Sequence, residues 1–221
     1  MKRERIIVNA LTFARVPLIF AWLGFAVAQE LTITPSCGGS FWLAFWACLM
    51  MLLSGLTDAW DGALARKWGV VSTLGKMADP LMDKVFYIVA FPALVWQIMH
   101  QGESNAHALV MMFFTILYML RDTWVTFMRS VGTMYGADVA AMWLGKVRTA
   151  LSFPGAGWVY MYCCFHRMAP ESLSRPWLIS CYVVEGLLIF LTIWSLFTYT
   201  AAYLPYLKKA LAGPSARGAK A

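Results

Sequence analysis

Long apolar runs separated by short polar clusters set the pattern of this chain. Tracts long enough to cross a bilayer, about 20 apolar residues each, recur along its whole length. The pattern predicts an all-α integral membrane protein with six transmembrane helices, near residues 13–30, 41–65, 76–99, 106–131, 142–165 and 177–203, preceded by an N-terminal juxtamembrane segment near 3–10. Lys2, Arg3 and Arg5 followed by an apolar stretch and Ala26-Val27-Ala28 imitate a cleavable signal peptide. Arg15 interrupts that run late, however, and Asn9, Thr12 and Arg15 fall on one helical face. An uncleaved first span is the better reading.

Composition agrees with the pattern. The chain is 61% hydrophobic and 13% charged, with a mean hydropathy of +0.64, outside the usual soluble range. A single membrane domain over 1–207 is expected, followed by a basic, disordered tail over 208–221. The net charge of +7 is a topogenic signal before anything else. Lys and Arg gather in the segments that lie on one side if both termini are cytoplasmic, and only Arg167 and Arg175 fall opposite. The same charge could attract anionic lipid headgroups; no nucleic-acid partner is implied. Cys37, Cys48, Cys163, Cys164 and Cys181 lack metal-type spacing and read as packing residues. His100, His107 and His166 fall near outer span ends and read as solvated or interfacial.

Against this background the acids stand out. Four of the eleven acidic residues, Asp58, Asp61, Asp79 and Asp83, lie between positions 58 and 83. Carboxylates beside such apolar runs are costly to bury, so they should face a cavity, a partner or a metal. Asp58 and Asp61 are spaced i,i+3, and Asp79 and Asp83 i,i+4, so each pair shares one face of its helix. Antiparallel neighbours joined by a short loop bring all four to similar depth near the cytoplasmic surface. Left together they would repel; one or two Mg²⁺ or Mn²⁺ ions, which take hard oxygen ligands, would remove that penalty. Gly62 and Ala65 permit close helix approach or leave room for a flat ligand, and Arg66 could bind a phosphate. The plainer alternative is interhelical ion pairing, Asp58 or Asp61 with Arg66 and Asp79 or Asp83 with Lys84 or Lys76.

Asp58-x-x-Asp61-Gly62-x-x-Ala65-Arg66, eight residues, then Gly75-x-x-x-Asp79-x-x-x-Asp83 resembles the complete motif of the CDP-alcohol phosphotransferases. The resemblance implies six transmembrane helices, a cytoplasm-facing polar cavity and a homodimer. It also implies transfer of a phosphatidyl or similar group from a CDP-linked donor to an alcohol, with release of CMP. Flanking segments are similar to those of the family's phosphatidylglycerophosphate synthases: Asn9 to Pro17 (with Val8 where Pro is usual), Ala78 to Lys84 (with Met82 for Ala), Arg121-Asp122, and Gly145 to Thr149. Cardiolipin synthases of the same family share much of that flanking pattern.

Carried over residue by residue, the resemblance makes Asp58, Asp61 and Asp79 ligands of the metal that holds the donor diphosphate. Asp83 becomes the base that deprotonates the attacking hydroxyl, and touches a second metal. Thr12, Gly62, Ala65, Arg66 and Gly75 would shape the CDP-donor pocket. An acceptor such as glycerol 3-phosphate is a small dianion, for which Arg121, Arg129, Lys146 and Arg148 supply charge; ordinary positive-inside anchoring is the competing account of those four. The implied substrates are CDP-diacylglycerol and glycerol 3-phosphate, in a bacterial inner membrane. A cation transporter, with Pro154, Gly155 and Gly157 as a helix break, would instead spread its acids through the membrane depth.

Overall fold

A computed structural model describes residues 2–32, 40–70, 73–101, 105–137, 143–166 and 170–212, without the side chains of Lys2, Thr73, Leu74, Lys76, Met77 and Asp79. Six helices make up this structure: α1 (Lys2–Thr32), α2 (Phe41–Trp68), α3 (Thr73–Gln101), α4 (Asn105–Met134), α5 (Trp143–Phe165) and α6 (Glu171–Leu211). Five contain a stretch long and apolar enough to cross a membrane, Arg3–Thr32, Phe41–Trp68, Pro80–Gln101, Asn105–Met134 and Glu171–Leu211. The sixth expected span corresponds to α5, whose first two turns carry Lys146 and Arg148 and leave a shorter uncharged stretch. The protein is an integral membrane protein.

Several boundaries differ from the pattern-based expectation. No break separates the basic segment at 3–10 from the first span, because Arg3 and Arg5 sit in the opening turns of one continuous helix. Helix α6 has 41 residues, about 62 Å at 1.5 Å per residue, roughly twice the hydrocarbon thickness. Lys208 and Lys209 lie in its last turn, and positions 213–221 of the expected tail lie outside the described residues, as does Cys37. Pro154 does not interrupt α5, which runs unbroken through Gly155 and Gly157; neighbouring helices and local adjustment accommodate such prolines in membrane helices. At the end of α2, Gly69 takes a left-handed conformation (φ 64°) and its N–H caps the helix, a geometry open to glycine at no steric penalty.

The chain divides into two compact units, Met1–Met112 with Phe153–Tyr182, and Phe113–Ser152 with Val183–Ala221. In the first, α1 packs on α2 and α3. Trp22 is buried edge-on against Tyr160 at 5.3 Å between ring centres, and Phe86 meets Phe153 at 4.7 Å. Phe153 also presses on Gly55, where an added β-carbon would fall 2.5 Å from its ring. Polar side chains buried in this unit pair with one another: Gln101 donates to Glu30 (2.6 Å) and to the Cys163 carbonyl (3.0 Å), and Tyr160 and Cys164 donate to Gln29. His107 and His166, expected to be solvated or interfacial, are instead buried against tyrosine rings; ring packing against tyrosines replaces water there. The second unit centres on Val125, Met128, Tyr199 and Tyr203. Cys163, Cys164 and Cys181 are buried and Cys48 is half-buried. Many large apolar side chains, among them Trp42, Phe45, Trp46, Phe190 and Phe197, are exposed, as befits helices whose solvent is lipid.

Candidate functional site

The acidic site is built from three helices of the first unit. Helix α2 ends with Asp58 and Asp61 one turn apart, and α3 carries Asp83. Helix α1 adds what the spacing of the acids did not reveal: Arg15, whose side chain is only 3% exposed. Its Nη1 donates to Asp83 Oδ1 at 2.9 Å. Its Nη2 donates to Asp58 Oδ1 and lies 3.4 Å from Asp61 Oδ2. Three carboxylates from two helices thus converge on one guanidinium from a third. A planar fork with several N–H donors suits such multiple recognition, and the charge neutralisation is what allows acids to stand at this depth.

Ion pairing, which the sequence suggested as an alternative, therefore exists for Asp58, Asp61 and Asp83 through Arg15. Asp58 and Asp61 pair with Arg15 rather than with Arg66, and Asp83 likewise pairs with Arg15. Thr12, one turn before Arg15 on the same face, donates its hydroxyl to Asp61 Oδ2 at 2.7 Å. Exposure separates the acids. Asp58 and Asp83 keep 51% and 36% of their side-chain surface open, whereas Asp61 keeps 7%. A reacting molecule can reach the first two; Asp61 is held from behind by Thr12 and Arg15. The side chain of Asp79 lies outside the described residues. Among the described residues no three His, Cys, Asp or Glu groups stand as a ready metal-ligand set. The donor chemistry nevertheless fits a divalent cation: several hard carboxylate oxygens already aim at a single positive charge.

The other expected donor-pocket residues lie near these acids along α2 and α3. Gly62 and Ala65 are half-buried and Arg66 is exposed. Among the described residues, the atoms nearest a β-carbon on Gly62 belong to the flexible side chain of Arg66 on the same helix, with Nη1 at 3.4 Å. Gly75 is half-buried in the opening turns of α3.

The second unit contains a separate basic cluster. Arg121 and Arg148 are both buried and share one carboxylate, Asp122 Oδ1, at 3.8 and 3.7 Å. Arg121 donates from Nε to Ser195 Oγ at 3.1 Å, and from Nη2 to the same oxygen, and stacks over Tyr199 at 5.0 Å. Arg148 lies over the Tyr118 ring at 3.9 Å. Its Nε and Nη1 are buried without a hydrogen-bond partner among the described residues, a costly state for a charged donor. Gly145 lies close beside them: a β-carbon there would come within 3.3 Å of Arg121 Nη2 and 3.0 Å of Tyr199 Oη, so those side-chain ends would have to shift slightly. Of the other two basic candidates, Arg129 is half-buried and Lys146 exposed. Among the described residues, two guanidiniums thus share one carboxylate.

Sequence reasoning missed Arg15, Ser195, Tyr118 and Tyr199 as neighbours of these sites. Only Arg15 offered a signal, as a lone charge inside an apolar run that needs an anionic partner.

A family model described as CDP-alcohol phosphatidyltransferase matches residues 5–198. Among curated relatives, a CDP-diacylglycerol–glycerol-3-phosphate 3-phosphatidyltransferase of Shigella flexneri is 30% identical over 166 residues, 73% of this chain and 80% of its own length. The protein of that name from Escherichia coli K12 is 29% identical with the same coverage. A cardiolipin synthase (CMP-forming) of Streptomyces coelicolor is 29% identical over 164 residues, 68% of this chain and 67% of its own. With the acid motif complete and the match running from α1 into α6, the chain belongs to the CDP-alcohol phosphatidyltransferase family and is an enzyme of that family.

Proposed function

We propose that this enzyme transfers the phosphatidyl group of CDP-diacylglycerol to the free primary hydroxyl of glycerol 3-phosphate, giving phosphatidylglycerophosphate and CMP. The observation that carries the reading is the convergence of Asp58, Asp61 and Asp83 on one centre of positive charge. Asp58, Asp61 and Asp79 would hold a Mg²⁺ or Mn²⁺ ion, with Asp83 at its edge. When bound, the ion neutralises the diphosphate so that CMP can leave.

The chain's own residues do the rest. Asp83 is exposed enough to accept the proton of the acceptor hydroxyl, and Arg15 fixes the orientation of its carboxylate. The freed oxygen then attacks the phosphorus attached to diacylglycerol. A new phosphate ester forms, the anhydride P–O bond breaks, and the electron pair departs with CMP. Thr12 keeps Asp61 turned inward, and Gly62, Ala65, Arg66 and Gly75 line the path of the cytidine and its phosphates. Glycerol 3-phosphate needs guanidinium or ammonium partners. The unpaired donors of Arg148, beside Arg121, favour it over a lipid acceptor that carries a single phosphodiester charge, and Arg129 and Lys146 add attraction. Both termini in the cytoplasm, a bacterial inner membrane and a homodimer complete the reading, supported by the Lys and Arg distribution and by the relatives.

Cardiolipin synthesis is the second reading, favoured by the similarity to the Streptomyces coelicolor protein. One assay separates the two. Purified protein in detergent is given CDP-diacylglycerol and Mg²⁺ or Mn²⁺, with glycerol 3-phosphate or with phosphatidylglycerol, and CMP and lipid products are measured. Phosphatidylglycerophosphate formed only with glycerol 3-phosphate supports the proposal. Cardiolipin formed from phosphatidylglycerol without use of glycerol 3-phosphate overturns it. No CMP under either condition would point to another acceptor alcohol within the family.

A further inference from the structure

We propose that Arg15 is a resident counter-cation that competes with the divalent metal for Asp58 and Asp61, and is displaced from those two carboxylates when metal binds. The proposal rests on the reading of these acids as metal ligands, and it concerns what occupies them beforehand. The two guanidinium nitrogens divide the site. Nη2 serves both acids of α2, Asp58 Oδ1 and Asp61 Oδ2, so it sits where one cation could reach an oxygen from each. Nη1 donates to Asp83 of α3. Withdrawal of Nη2 therefore need not release Nη1, and Thr12 keeps Asp61 in place through its own hydrogen bond.

The physical argument is one of charge. Arg15 is almost wholly buried, and a guanidinium remains charged in proteins. Without a cation, the acids of α2 and α3 would repel one another in a medium of low dielectric, and Arg15 removes that repulsion from within the fold. A divalent ion and Nη2 cannot both occupy the space between the same two oxygens, since like charges at contact distance repel. The metal-free protein is thus stabilised, and the metal binds more weakly than the carboxylates alone would allow. Arg15 is a positioning residue in this account, acting through the carboxylates.

The test is Mn²⁺ binding to the purified full chain in detergent, followed by titration calorimetry and by the thermal midpoint with and without the ion. Arg15→Gln should lower the midpoint of the metal-free protein. It should also bind Mn²⁺ about tenfold or more tightly than wild type, the scale of one lost charge-assisted contact, with a larger metal-induced rise in midpoint. Arg15→Lys, whose single ammonium cannot serve both helices at once, should fold and also bind Mn²⁺ more tightly, by a smaller factor. General structural damage would weaken binding, so the direction of the change is diagnostic. Equal or weaker Mn²⁺ binding by Arg15→Lys, when wild type binds the ion, overturns the proposal whether or not Arg15→Gln folds. Absence of Mn²⁺ binding in wild type and both variants would instead overturn the metal-site reading on which it rests.

Discussion

Arg15 Nη1 donates to Asp83 Oδ1 at 2.9 Å across 68 positions of sequence, joining the first helix to the acid proposed as base. The pairing holds the carboxylate in one direction while 36% of its side chain remains exposed, the geometry that a general base for an incoming hydroxyl would need.

The division between metal ligand and base predicts different failures. Asp58→Asn should abolish CMP release, by at least about a hundredfold, because it removes a hard anionic ligand while keeping the shape. Turnover within a few-fold of wild type, in a variant whose melting profile is intact, would remove Asp58 from the ligand set.

Asp83→Asn is expected to lower kcat by about two to four orders of magnitude, the usual contribution of a general base. Metal-dependent binding of CDP-diacylglycerol, measured by calorimetry, should change little. Loss of donor affinity in proportion to activity would count Asp83 as a metal ligand first.

The basic cluster predicts a defect confined to the acceptor. Arg148→Gln should raise the KM for glycerol 3-phosphate by roughly ten- to over a hundredfold, the equivalent of about 1.5–3 kcal/mol for a charged hydrogen bond, and leave the donor KM nearly unchanged. Arg121→Gln should cost stability as well, because Arg121 already holds Ser195 and Tyr199. Steady-state kinetics with each substrate varied in turn tests the split; an Arg148→Gln variant with unaltered acceptor KM would return that residue to topology alone.

Packing gives a prediction independent of activity. Gly55→Ala places a methyl group 2.5 Å from the ring of Phe153, which cannot retreat freely because it also stacks on Phe86. Overpacking of this kind costs about 1–3 kcal/mol, visible as a lower thermal midpoint in detergent. Phe153→Leu should recover part of the loss in the double variant, a non-additivity that identifies the contact.

Thr12→Val keeps the shape of the side chain but removes the donor to Asp61. The expected loss is about 1.5–3 kcal/mol of stability, since the acceptor is a charged carboxylate, and Thr12→Ser should restore most of it. A Thr12→Val protein as stable as wild type would show that Arg15 alone suffices to hold Asp61.

The sequence by itself determined the helices and the presence of the site. Run length in apolar residues fixes where spans lie, since a bilayer imposes one scale on all of them, and α2, α3 and α4 fall close to the expected 41–65, 76–99 and 106–131. The acid spacing was legible for the same local reason: residues three and four apart share a helix face whatever the rest of the chain does. Tertiary structure decided the partners. Arg66 lies one turn beyond Asp61 and was the alternative counter-charge, yet its exposed side chain lies over Gly62 of its own helix, while Arg15 reaches the acids from another helix. Likewise, Arg121 and Arg148 are basic residues near helix ends in the sequence, and only packing against Tyr118, Tyr199 and Ser195 buries them about one carboxylate. Which charge meets which depends on how helices distant in sequence are laid together, and no periodicity along a single helix carries that information.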